Sequence, residues 1–127
     1  MQINHPFICE IADSPAAVGT GEVVPSAWNA PHTILLFGRT VATGAVVMLN
    51  ADDIVNVNHA GTVTVTGATG RTPWKPYTIK DSGGNAAANN ITYTPATGTI
   101  DGAASVKIQQ NYDSLTIYSD GTNEFIL

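Results

Sequence analysis

Tyr77-Thr-Ile-Lys-Asp81, Ser82-Gly-Gly-Asn-Ala-Ala-Ala-Asn-Asn90 and Ile91-Thr-Tyr-Thr-Pro95 open the stretch on which the fold reading turns. Thr99-Ile-Asp-Gly-Ala-Ala-Ser-Val-Lys-Ile108, Tyr112-Asp-Ser-Leu-Thr-Ile-Tyr118 and Asn123-Glu-Phe-Ile-Leu127 complete it. Apolar and polar residues alternate inside each run, and Gly, Asn, Asp or Pro separates the runs. Period-two alternation bounded by turn formers predicts short antiparallel strands. Asp120-Gly121 between two such runs predicts a two-residue hairpin, because both central positions then need positive φ. Leu115, Ile117, Phe125 and Leu127 are the expected core side chains of that hairpin.

Upstream, Thr33–Phe37 and Val41–Leu49 read as strands, with Gly38-Arg39 and Thr43-Gly44 as punctuation. Ile54–Val57 and the clean alternation Thr62-Val-Thr-Val-Thr66 follow, on either side of a turn at His59-Ala-Gly61. In total the chain presents roughly eight to ten short strands, spaced about every ten residues. Only Ala86-Ala-Ala88 has helix-forming composition, and it is too short to nucleate one. The expected fold is all-β: a small antiparallel β-sandwich or jelly-roll-like domain over residues 33–127. Between its strands, residues 67–76 form a loop in which two prolines flank Trp74 and Lys75, so Arg71, Trp74 and Lys75 are read as an exposed contact loop.

Residues 1–32 differ. Pro6, Pro15, Pro25 and Pro31 break any long element, so this part reads as an extended N-terminal arm. Ile3, Phe7, Ile8 and Ile11 are apolar enough to seek a surface, and Trp28 anchors a turn; these five are the candidate attachment residues. Cys9 is the lone cysteine, so no internal disulfide forms, and a small buried hydrophobe is the plainer reading of it.

Composition excludes several function classes. Charged residues are 12% of the chain, well below the usual quarter, which suggests a surface partly covered by assembly. Net charge is −5, and Arg39, Arg71, Lys75, Lys80 and Lys107 are scattered, so no basic cluster binds nucleic acid. Ile34–Phe37 and Ala45–Leu49 are too short to insert in a bilayer, and the amino terminus has no signal-peptide pattern. Ser, His and Asp are present without a nucleophile elbow. His5, His32 and His59 lack metal-ligand spacing, and no cofactor is implied. Asp52, Asp53, Asp81, Asp101 and Asp113 fall mostly at expected strand ends, where Asp usually serves turn hydrogen bonding. Asp81-x-Gly-x-Asn85 has an outline of a calcium loop but neither the ligand series nor the terminal Glu.

The carboxy-terminal stretch also carries a resemblance. Ile79-Lys-Asp-x-x-Gly84-x-Ala86-x-x-Asn89-Asn90-Ile91-Thr, then Ile100-Asp-Gly-Ala, Asn111-Tyr112-x-Ser114 and Asp120-Gly-Thr-Asn123 together resemble a small β-domain of tailed-bacteriophage virion proteins, which closes tail-fibre and other appendage chains. Trp28-Asn-x-x-His32-x-Ile34 is similar to a short motif near the start of phage tail and fibre modules. Where the family places Trp after the Gly-Thr-Asn turn, this chain has Glu124 and then Phe125. The resemblance implies a non-enzymatic virion structural protein, assembled in the host cytoplasm, with no catalytic, cofactor or metal residues. As partners it implies other virion proteins, a host cell-surface glycan, and further copies of itself in a closed oligomer, for which a homotrimer is the expectation. A capsid decoration (cement) subunit is the alternative, and a small glycan-binding or depolymerase module the second.

Overall fold

Alternation is strongest where the chain's central strands lie. A computed structural model describes residues 36–127, which belong to a unit spanning Leu35–Leu127. The attachment residues Ile3, Phe7, Ile8, Ile11 and Trp28, with Cys9, His5 and His32, lie outside the described residues. Nine strands are described: β1 (Gly38–Val41), β2 (Ala45–Val47), β3 (Ile54–Val57), β4 (Val63–Thr66), β5 (Tyr77–Asp81), β6 (Ile91–Thr94), β7 (Val106–Ile108), β8 (Ser114–Ser119) and β9 (Glu124–Ile126). No helix occurs among the described residues, so the all-β reading holds for them.

The strands form two mixed sheets, ordered β1-β3-β5-β8-β9 and β2-β4-β6-β7, and neither closes into a barrel. Their directions correct the antiparallel expectation. The chain alternates between sheets, and each strand from β3 to β6 lies parallel to the one two before it. Only the last three strands reverse, β7 against β6, β8 against β5 and β9 against β8. Alternation dictates which face of a strand is buried, whereas direction depends on where each connection delivers the chain. Here every connection up to β6 leads to the other sheet, so the intervening strand serves as the crossover that parallel pairing requires. The result is a short coil with a reversed final turn.

Register turns the period-two pattern into buried columns. Val55, Ile79 and Leu115 align across the first sheet, and Val63, Ile91 and Ile108 across the second. All six join one hydrophobic cluster with Val46, Met48, Val57, Val65, Tyr77, Tyr93, Ile100 and Ile117. Side chains from both sheets thus share a single core.

Several finer expectations shift. Gly38 and Arg39 lie inside β1, because pairing with Ile54 and Val55 outweighs their turn propensity. The Thr99–Ile108 run is a strand only at Val106–Ile108; ahead of it Ile100 makes isolated bridges to Ala103 and Glu124. The terminal hairpin exists, yet its turn has four residues, with Ser119 opposite Glu124. Asp120 accounts for that: its carboxylate accepts hydrogen bonds from the Thr122 and Asn123 N–H groups at 2.8 and 2.7 Å. A side chain that ties its own turn favours this longer loop over a two-residue one. Leu115 and Ile117 are buried, but Phe125 faces outward and Leu127 is exposed. Glu124 takes the inward position instead.

Candidate functional site

Connections leave the two sheets along two chemically different edges. One gathers the β3–β4, β5–β6 and β7–β8 loops and is dominated by amides. Asp81 organises it from within: its carboxylate accepts from the Gly84 and Ala86 N–H groups at 3.0 Å each and from the Tyr112 N–H at 3.1 Å. Burial pushes the Asp81 carboxyl up, but the amides of Ala86, Tyr112, Asn85 and Gly84 together hold it below its ordinary value. Asparagines complete the ties, Asn85 to His59 O, Asn89 to Ala60 O and Asn90 to Ala86 O. Gly84, at φ 67, lies so close under the Tyr112 ring that a Cβ there would collide with it. Both Asp81 oxygens are thus occupied by protein donors, so this loop is a turn device. Among the described residues, no three His, Cys, Asp or Glu side chains come together as metal ligands.

The opposite edge is charged. Arg39 Nε donates to both oxygens of Asp52 at 3.0 Å and its Nη2 to Val47 O at 2.8 Å, joining β1 to β2. Lys75 Nζ lies 2.7 Å from Asp53, whose other oxygen accepts from the Phe37 N–H at 2.7 Å. The hydrogen bond from Lys75, followed by that of the Phe37 amide, holds the Asp53 carboxyl below its usual range. Arg71 does not belong to an exposed loop. It is 7% exposed, donates to Leu49 O and Asp52 O, and lies 3.4 Å over the Tyr77 ring. The wish of a buried guanidinium for acceptors draws it inward, while Trp74 stays outside at 70% exposure and Lys75 is half-buried in its ion pair.

Between the sheets runs a polar chain that sequence reading did not single out. Tyr77 Oη and Tyr93 Oη are 2.6 Å apart, and Tyr93 donates to Glu124 Oε2 at 2.5 Å. Burial, and for Tyr93 the hydrogen bond to Glu124, pushes both phenols far up, so they stay protonated. A cavity of about 40 Å³ beside the chain is lined by Arg71, Ser119 and Glu124, among others. The signal was available. Tyr77, Tyr93 and Glu124 all occupy inward positions of their strands, and a buried hydroxyl or carboxylate needs a partner.

No protein-family model and no curated protein matches the chain. The site is therefore read from geometry alone.

Two surfaces stand out. On the outer face of the first sheet, Trp74 stacks on Tyr118 with centroids 5.8 Å apart, and Tyr118 on Phe125 at 5.4 Å. At the β1–β2 end, Leu36, Phe37, Val47 and Leu49 are all more than half exposed. A shallow depression of about 380 Å³ adjoins them, bordered by Val47, Leu49, Thr66, Thr69 and Ala96. Neither surface assembles a nucleophile with a base, and each buried carboxylate already has its own donor.

Proposed function

We propose that the protein is a non-enzymatic bacteriophage structural subunit, part of a tail fibre or similar appendage, which assembles on the particle as a homotrimer. One observation carries the reading: the two ends of the coil are built differently. The Ile100–Ala103 and Asp120–Asn123 parts of the virion-protein pattern lie at the finished end. Ile100 lies against β9, with the Glu124 N–H donating to Thr99 O and the Asp101 N–H to Glu124 O, both across what would otherwise be an edge. At the other end, β1 and β2 are the last strands of their sheets among the described residues and carry exposed apolar side chains. A domain finished at one end and apolar at the other suits the closing module of a larger assembly.

The finer architecture belongs to the same proposal: the two layers form a sandwich wound as a coil rather than a jelly roll of antiparallel pairs. Antibody labelling of purified particles tests the placement, with label at the tail expected. Label over the head would replace this reading with the decoration one, and particles without the protein would end both. Light scattering on the isolated chain should give three times the chain mass.

A further inference from the structure

We propose that the exposed indole of Trp74 is a saccharide platform that takes the apolar face of a pyranose ring. The proposal goes beyond the structural role above and stands without it. It starts from the backbone. Trp74 has φ 66, a left-handed conformation that bulky side chains rarely adopt. Such residues persist where surroundings over-determine them, and they cluster at binding sites. Here the Trp74 N–H donates to Ser119 O at 2.8 Å, which ties the strained turn to the end of β8. Core packing does not account for the strain, since 70% of the residue remains exposed.

The ring is ordered nonetheless. Its plane lies 25° from that of Tyr118, and Tyr118 lies 26° from Phe125. Tyr118 and Phe125 are themselves register partners of β8 and β9. The indole is therefore the outermost member of a slab standing on a sheet, with one face on Tyr118 and the rest toward solvent. Sites mounted on strands hold geometry better than sites on loops alone.

The surroundings select the occupant. Pro73 and Lys75 flank Trp74 in sequence, Thr72 lies just beyond Pro73, and Gly121, next to Asp120, packs near Pro73. An exposed apolar face about one ring wide, with Thr72 and Lys75 within two residues of it, matches a pyranose, whose C–H face is apolar and whose hydroxyls lie at its edge. A stable protein interface requires about 800 Å² from each partner, more than one indole with polar flanks offers. Single-stranded nucleic acid would also stack, but it needs free cations along its backbone. Lys75 is paired with Asp53, and Arg71 is buried.

The intact chain has two tryptophans, so its indole N–H signals in a nitrogen-15 spectrum are two, and Trp74→Gly identifies the relevant one. The probes are the linear hexasaccharides of glucose, mannose and N-acetylglucosamine, each titrated to about 10 mM, since a single-ring contact corresponds to millimolar affinity. We expect at least one probe to shift the Trp74 signal saturably. Trp74→Gly should weaken its binding at least about tenfold, while the melting temperature holds or rises because glycine accepts this φ freely. Tyr118→Ala should weaken binding through lost support and Tyr118→Phe should restore it. No shift with any of the three probes overturns the proposal, as does binding that survives Trp74→Gly. A Trp74→Gly chain that loses its oligomeric state in light scattering without any saccharide effect assigns the ring to a protein interface and overturns it too.

Discussion

At the β8–β9 end of the coil, the last strand of the first sheet is covered by Thr99–Ala103, and Ile100 beneath it is 1% exposed. At the β1–β2 end, the core stops at an ion pair. Arg39 occupies the inward column of Val55 and Ile79, and its guanidinium meets Asp52 and Val47 O where a further apolar layer would lie. One end is finished by backbone hydrogen bonds and a buried isoleucine. The other is finished by a charge pair and left with apolar side chains around its rim. The contrast shows that burying a core and terminating a sheet are separate tasks, and that a terminal edge is either covered within the chain or kept for contact.

The largest effect should come from breaking the finished end. Ile100→Ala removes a buried side chain and should cost about 2–5 kcal/mol, lowering the melting temperature by roughly 10 °C or more in calorimetry. A change within error would mean that Thr99–Ala103 merely rests on β9. Next comes Asp81→Asn, which puts an amide where several backbone donors converge and should cost about 2–3 kcal/mol. It also carries a pH signature. Since the folded Asp81 carboxyl titrates below its ordinary 3.8, its stabilisation is complete above that value and is lost as pH falls through the lower folded one. Wild-type melting should stay level from about pH 7 to 5 and fall below about 4. The variant should show a shallower acid slope, with Asp53 and Asp120, whose carboxyls are likewise lowered, accounting for what is left.

Smaller effects probe the open end. Arg39→Ala leaves Asp52 with the Leu49 N–H as its remaining side-chain partner and should cost about 1–2 kcal/mol by denaturant titration. Leu49→Ser should change stability by no more than about 0.5 kcal/mol, because the side chain is exposed. Its expected effect is instead a shift of the light-scattering mass toward the single chain at equal concentration. An unaltered mass would remove the open rim from the assembly surface.

How far the sequence was readable follows from what each signal encodes. Val63-Thr-Val-Thr66 and Tyr77–Asp81 alternate cleanly and are strands with the expected faces buried. Strand direction was not legible, because His59-Ala-Gly61 or residues 82–90 can serve equally well to reverse a chain or to pass it to a second sheet. The aromatic stack was half legible: two prolines marked Trp74, but Phe125 looked like core because β9 was read in the wrong phase. Glu124 fixes that phase. A carboxylate that meets Tyr93 indoors turns its neighbour outward, and Phe125 thereby becomes part of the stack. Arg71 was misplaced for a related reason, since an arginine in a loop gives no hint that the carbonyls of Leu49 and Asp52 await it.

Parallel winding also sets the order of events during synthesis. β5 lies between β3 and β8, so the first sheet is complete only after β8 and β9 have left the ribosome. Two consecutive pairs return within one sheet, β6 with β7 and β8 with β9, and both follow all the parallel strands. A nascent chain therefore carries β3 and β4 with no downstream neighbours while later strands are still being made. Contacts of such long sequence separation fold slowly and prolong exposure to wrong partners. Chains cut off ahead of β9 should aggregate rather than form a shorter, working domain.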